Sequence, residues 1–246
     1  MAKESGLGDM LFVDGVDLSG DVGSVKTIGA PTDTLEVTGI DKSAKERING
    51  LFDGMIEFNA FFNDAVSQEH ATLKAQGSGA DRIVCYFHGS GIGEMAAGLV
   101  AKQLKYDGSR PDDGLLTFDA ATEGNGYGLD FCEQLTAGKR SDTSATNGSS
   151  WDGTAASALG LGAYLQVFSF AGTSVTVTIQ ESSDNGGGDA FAAVTGGAFA
   201  AASAVGAQHI VTSLTLAVER YLRVVTTGTF SQCTFAVCAT RFPYAA

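Results

Sequence analysis

The stretch VDGVDLSGDVG, residues 13–23, sets three aspartates, Asp14, Asp17 and Asp21, among glycines and a serine. A helix–loop–helix calcium site needs oxygen ligands at alternate positions, a fixed glycine and a distant bidentate glutamate. Here the aspartates are three and four residues apart, and no glutamate follows until Glu36. Leu11 and Val13 alternate toward one side of the chain instead, and Asp14-Gly15 carries the turn chemistry of a two-residue β-hairpin. The stretch reads as a hairpin with solvated aspartates, and no metal is expected.

Working outward, GMIEFNAFFN places Ile56, Phe58, Ala60 and Phe62 on one face of a strand and Glu57 and Asn59 on the other, which predicts one dry and one wet side. NDAVSQEHATLKAQG predicts a helix over about residues 64–76, with Asn63 or Asp64 as N-cap and Gly77 at the stop. DRIVCYFHG reads as a strand, with Ile83, Cys85 and Phe87 opposite Arg82, Val84 and Tyr86. GLVAKQLKYDG and GLLTFDAATEG follow, the latter setting Thr117, Asp119 and Glu123 opposite Leu116 and Phe118. Residues 1–138 are therefore expected to form one β domain, mainly antiparallel, with a single helix.

Composition shifts at LTAGKRSDTSATNGSSWDGTAAS, residues 135–157, where apolar periodicity lapses. Residues 139–157 are expected to be a linker and residues 158–246 a second domain. Beyond the linker come AYLQVFSF, TSVTVTIQ, AFAAASAV, IVTSLTLAV, RYLRVVTTG and CTFAVCATRF, dense in Thr and Val. Short strands at such spacing predict a β-sandwich, of jelly-roll or immunoglobulin type. The glycines Gly186–Gly188 suit a hairpin tip, since one copy lacks the stacked repeat a calcium β-roll needs.

At 246 residues the chain is long enough for a substantial core in one large or two ordinary domains. Its net charge of −13 is concentrated in the first half, where residues 1–139 hold 11 Lys and Arg against 22 Asp and Glu. Such a surface repels phosphates, because nucleic-acid affinity comes from cations that displace counterions. No apolar run approaches a membrane span, and no secretory segment is visible at Met1-Ala-Lys-Glu. Cys85, Cys132, Cys233 and Cys238 form no CxxC pair, and the last two, five apart, point to opposite faces of one strand. They are expected to be reduced and partly buried, while His70, His88 and His209 are too scattered for a local zinc signature.

Enzymatic motifs fail one by one. Gly91-x-Gly93-x-x-Ala96 follows a strand, as in a dinucleotide fingerprint, but stands without repeated βαβ units. TAGKRSD lacks the first glycine of a phosphate loop, Glu133 standing there, and has Arg140 where a magnesium-binding hydroxyl belongs. FHGSGIG sets its serine at the wrong offset for a nucleophile elbow. No cofactor and no catalytic residue is expected.

FVDGVDLSGDVGSVKTIGAP, then LEVTGIDKSAKERINGLFDGMIEFNAFFND, then the helix, then DRIVCYFHGSGIGEMAAGLVAKQLKYD, resembles the tail tube (major tail) proteins of long-tailed bacteriophages over residues 10 to about 140. The rest resembles the extra C-terminal β domains that some of these proteins carry outside the tube. The resemblance implies a tail-tube-type β-sandwich or barrel with one helix and no enzymatic activity. It also implies six-subunit rings stacked into a hollow conduit for viral DNA, assembled in the bacterial host cytoplasm and located in the virion. Its partners would be further copies of itself and the tape-measure, tail-terminator and baseplate proteins, with no membrane. On that reading Glu57, Asn59, Asp119 and Glu123 are candidate lumen residues. The stretch GIDKSAKERINGLFDG becomes the candidate inter-ring loop through Asp41, Lys42, Lys45, Glu46, Arg47, Leu51 and Phe52. The alternatives are a virion decoration or adhesion module binding capsid or host glycan, and a nucleotide-dependent enzyme.

Overall fold

The computed structural model describes residues 5–75 and 79–242. Strands β1 (Met10–Val13) and β2 (Val16–Asp17) pair Val13 with Val16, so Asp14 and Gly15 are the whole connection. Both have positive φ, 52° and 83°, as the type I′ turn of a two-residue hairpin requires. The predicted hairpin is present.

β3 (Val22–Gly29) follows, then β4 (Thr32–Glu36) and β5 (Arg47–Phe52), which pair only with each other as a separate ribbon. β6 (Met55–Phe61) joins β3 antiparallel, with Ile56, Phe58 and Ala60 fully buried as their alternation predicts. Phe62 departs from that expectation: it lies past the strand end and is exposed, as is Phe61. The helix is shorter than predicted. α1 covers only Glu69–Leu73, and its N-cap Gln68 makes no side-chain capping bond. Asn63 Oδ1 accepts from Ala65 N–H at 3.2 Å instead, which spends the expected cap on a local turn. The expected stop at Gly77 lies outside the described residues.

β7 (Arg82–Phe87), β8 (Met95–Ser109), β9 (Thr117–Gly124) and β10 (Asp130–Gln134) complete the first half. The expected linker is structured. β11 (Arg140–Asp142) and β12 (Thr146–Asp152) lie within residues 139–157 and both pair with the last strand. These strands are polar because they cover an exposed edge, so backbone pairing holds them where apolar alternation is missing.

β13 (Leu161–Ser182) runs through both AYLQVFSF and TSVTVTIQ; β14 (Ala192–Ala198) and β15 (Gly206–Val211) pair along it. β16 (Tyr221–Arg241) likewise joins RYLRVVTTG to CTFAVCATRF, and β13 and β16 pair along their length. AFAAASAV is not a strand, since β14 ends at Ala198 and only Ala202 bridges, to Val175. IVTSLTLAV keeps strand structure only to Val211. Register shifts between Val167 and Ser174 break the long ribbon's ladder partway along. There Gly228, at φ 120°, sits where any Cβ would strike the Ser174 carbonyl.

Strand alternation then builds three cores. Leu11 and Val13 of β1, Val84 and Tyr86 of β7, and Ala97, Leu99 and Ala101 of β8 face a core shared with Ile56, Phe58, Ala60 and Leu73. The opposite faces of the same strands, Phe12, Cys85, Phe87, Ala96 and Val100, face Tyr164, Ala236 and Cys238 from β13 and β16. The two ends of the β13–β16 ribbon enclose a third, which includes Leu165, Val177, Leu222 and Phe235. Strands buried on both faces explain the near-continuous apolar runs RIVCYF and MAAGLVA.

The middle core joins the two halves of the chain, and the opening hairpin seals it. Gly15 N–H donates to Gln166 Oε1 at 2.6 Å, while Gln166 Nε2 donates to the Ile83 carbonyl at 2.9 Å. A Cβ on Gly15 would meet Gly206 N and the Val167 carbonyl at 2.6 Å, so the turn's backbone lies directly against β13 and β15. Phe12 stacks edge-on against Phe87 and Phe168 at 5.2 and 4.7 Å between ring centres. All four cysteines are free and buried, with Cys233 in the third core and Cys238 in the middle one, on opposite faces as expected.

Candidate assembly surfaces

The three aspartates of the opening stretch do not converge on one point. Asp14 accepts from Ile83 N–H at 2.8 Å and pairs with Arg82 Nη1 at 2.9 Å. Asp17 accepts from Ser19 N–H at 3.0 Å and pairs with Lys139. Burial pushes the Asp17 pKa up, but Lys139 and Ser19 outweigh it and hold the group below its ordinary value. Asp21 accepts from Asn63 Nδ2 at 2.8 Å and from Glu69 N–H at 3.0 Å. Each aspartate fastens a different element, and among the described residues no three His, Cys, Asp or Glu side chains are grouped to hold a metal ion.

The loop between β7 and β8 opens no helix, because β8 follows it directly. Its own Glu94 Oε2 accepts from Gly91 N–H at 2.6 Å, so a carboxylate from the chain occupies a position a phosphate would need. At the β13–β14 connection, Asp184 accepts from Gly187 N–H at 2.9 Å, from Gly188 N–H at 2.5 Å and from Asp189 N–H at 3.1 Å. That carboxylate is a turn staple.

Glu57, Asn59, Asp119 and Glu123 do come together. In the β6–β9 register Asn59 lies opposite Asp119, Glu57 opposite Ala121 and Glu123 opposite Met55, so all four share the face away from the Ile56–Phe58–Ala60 core. Asn59 Nδ2 donates to Asp119 Oδ1 at 2.8 Å, and Thr27 Oγ1 donates to Glu57 Oε2 at 2.8 Å. The face is not purely acidic. Lys26 of β3 pairs with Asp119 at 2.5 Å and Lys105 of β8 approaches it at 3.7 Å. The hydrogen bond from Lys26, then that from Asn59, holds the Asp119 carboxyl below its ordinary value. Alternation within single strands could place the carboxylates but not these lysines, whose strands meet the face only because β3 pairs with β6 and β8 with β9.

The candidate inter-ring loop is the β4–β5 ribbon with its tip. Asp41, Lys42, Lys45 and Glu46 sit in the connection, and Arg47, Leu51 and Phe52 sit in β5. Lys45 pairs with Glu36 at 2.7 Å and Lys42 with Glu46 at 3.4 Å, both exposed. Pairs in that setting contribute about 0–1 kcal/mol, so they shape the tip more than they stabilise it. Apolar exposure is its larger feature. Leu35, Val37, Ile48 and Phe52 are about half exposed, Leu51 more so, and Ile40 completely. The arm leaves the body where Asp53 N–H donates to the Pro31 carbonyl at 2.9 Å.

Beneath α1 lies a buried carboxylate that sequence reasoning missed. Glu69 is fully buried, and neither carboxylate oxygen meets a well-formed hydrogen-bond partner among the described residues. Burial drives its pKa up, against a weaker opposing pull from the neighbouring Tyr106 hydroxyl, which His70 Nδ1 engages at 2.8 Å. An acid whose folded pKa is raised stabilises the fold below its unfolded value and costs stability as pH rises above it. Glu69→Gln is therefore expected to raise stability at pH 7.5 and to change little near pH 4. Thermal unfolding at both pH values checks this; an equal effect at both would refute it.

No protein-family model matches the chain, and no curated protein does. Solved structures resemble it at low identity. A chain in "Virion of native gene transfer agent (GTA) particle" is 15% identical, over 52% of this chain and 98% of that one, with a TM-score of 0.43. The crystal structure of the SPP1 Dit protein, described as a paradigm of the hub adsorption apparatus in phages infecting Gram-positive hosts, is 12% identical over 95% and 99%, at 0.34. A chain of the phage p2 baseplate in its activated conformation with Sr is 9% identical over 96% and 99%, at 0.33.

Proposed function

We propose that the chain is a non-enzymatic structural protein of a long-tailed bacteriophage virion, and that copies of it assemble into six-membered rings stacked as a tail tube. The observation that carries this reading is the β4–β5 arm, which stands apart from the main sheet and carries five large apolar side chains, Leu35, Val37, Ile40, Ile48 and Leu51, that are about half exposed or more. Exposed apolar area costs about 25 cal/mol per Å², so an arm of this composition gains stability only by being covered. The sequence resemblance to tail tube proteins supplies the form of the assembly, and closed inner sheets would leave no edge open to lateral aggregation.

In this reading Glu57, Asn59, Asp119 and Glu123 line the bore. Lys26 pairs with Asp119 and Lys105 lies between Asp107 and Asp119, so two carboxylates of the same subunit offset the two cations, which then offer little to a passing phosphate. The C-terminal ribbon, read as a sandwich domain on the tube's outer side, is a rigid extension, because it shares the middle core with β1, β7 and β8. Tape-measure, terminator and baseplate proteins would meet the ends of the stack.

Sedimentation velocity over a concentration series tests the reading. It predicts a discrete hexameric species or larger multiples of it. A monomer at every concentration, together with saturable binding to capsid or glycan, would favour the decoration or adhesion module instead.

A further inference from the structure

Helix α1 is held in place by other elements. Asp21, in the connection between β2 and β3, accepts from Glu69 N–H at 3.0 Å and from Asn63 Nδ2 at 2.8 Å. Arg82 Nη2 of β7 donates to the Thr72 carbonyl at 3.0 Å, and Gln103 Nε2 of β8 donates to the Leu73 carbonyl at 2.7 Å. Leu73 is fully buried in the core that holds Ile56 and Phe58. A five-residue helix has too few internal bonds to persist alone, so these ties and Leu73 keep it folded.

The same helix covers three acceptor atoms that lack a donor. Both carboxylate oxygens of Glu69 and Oε1 of Gln103 are buried without a well-formed partner among the described residues. The bond from Gln103 Nε2 to Leu73 fixes which end of that amide faces inward. The cations of the neighbouring strands are engaged elsewhere: Arg82 with Asp14 at 2.9 Å, Lys102 with Asp81 at 2.7 Å, and Lys105 between Asp107 and Asp119 at 3.8 and 3.7 Å. Lys74, at the helix end, is exposed. The titratable groups that face Glu69 are Asp21, Tyr106 of β8 and, on its own helix, His70, whose Nδ1 engages the Tyr106 hydroxyl at 2.8 Å. Burial and the Asp21 charge both oppose a negative charge on Glu69, against weaker pulls from the Tyr106 hydroxyl and the Asn63 N–H. A neutral carboxyl supplies a proton where only acceptors stand, whereas an ionised one adds an unpaired buried charge.

We propose that α1 is a proton-held latch, docked on β7 and β8 while the Glu69 carboxyl is neutral and released as that carboxyl ionises, which uncovers Leu73 and the core beneath it. Release breaks only a few hydrogen bonds and one apolar contact, so it is local and leaves the middle core and the β13–β16 ribbon intact. One proton is exchanged. Above the ordinary glutamate range the open fraction therefore climbs about tenfold per pH unit, and it levels off above the folded value of Glu69.

Hydrogen exchange read by mass spectrometry on the full chain tests this. The reporters are the amides of His70, Thr72 and Lys74, bonded to the carbonyls of Asn63, Gln68 and His70 at 2.9, 3.0 and 3.0 Å. The parent and Glu69→Gln chains are compared at each pH from 4 upward, so the intrinsic chemistry of exchange cancels. The ratio of parent to variant rates should be near one at pH 4, climb by about tenfold per pH unit and then flatten. The variant gains protection, which a misfolded chain cannot mimic. A ratio that stays at one throughout would overturn the latch. In the parent, β7 amides should exchange more slowly than those of α1; equal rates would show that the whole fold opens and would also overturn it. His70→Gln is the control and should keep the parent's profile. If it reproduced the Glu69→Gln profile instead, the imidazole would be the switch and the proposal would fall.

Discussion

Replacing Gly15 with valine is expected to remove about 4 kcal/mol or more of folding stability, a large share of what a domain has. Three costs add. The residue holds φ 83°, where a β-branched side chain is strained by about 1–2 kcal/mol. Its Cβ position lies 2.6 Å from Gly206 N and the Val167 carbonyl, so the hairpin must lift away from β13 and β15. Lifting breaks the 2.6 Å bond to Gln166 Oε1 and leaves a fully buried amide short of a partner, at about 1–3 kcal/mol. Urea unfolding measures the loss. A change below 1 kcal/mol would mean that the two halves of the chain do not close on this turn. The middle core offers a parallel control at Gly98, where a Cβ would run into the Tyr164 ring.

The second large effect concerns association. Ile40→Asp combined with Leu51→Asp is expected to leave the monomer's thermal transition within experimental error of the parent, because both side chains already stand in water. Assembly should fall roughly a thousandfold in apparent affinity, given about 2 kcal/mol or more for each apolar anchor lost. Light scattering against concentration reads this directly. An unchanged assembly threshold would exclude the arm from the contact, and a lowered thermal transition would show that the arm packs on its own body.

Much of this is legible in the sequence alone. Asp14-Gly15 between alternating residues fixed a hairpin because few sequences tolerate two successive positive φ values. Ile56, Phe58 and Ala60 set the dry face of β6 and so the wet side that holds Glu57 and Asn59; alternation in GLLTFDAATEG sets Asp119 and Glu123 on one side of β9, but only the β6–β9 register joins the two. Other features were hidden for identifiable reasons. The polar middles of β13 and β16, around Gly172 and Gly228, look like turns because register shifts there need small or polar residues. TNGSSWD looks like a linker because β12 is a polar strand held by pairing with β16. Among the described residues of the predicted helix, 64 to 75, only five are helical, since an isolated short helix is weak and Asn63 is diverted into a local turn. Lys26 and Lys105 reach Asp119 from strands whose neighbours no local pattern specifies. Glu69 gave no signal at all, as a buried carboxylate looks the same in sequence as a solvated one.

Electron microscopy of negatively stained, purified protein over a concentration series tests the central claim most directly. Hollow filaments of uniform width, or rings with six-fold symmetry, are the predicted result, and the arm should bridge successive copies in their averaged density. Compact single particles at every concentration, with no rings or filaments, would contradict it.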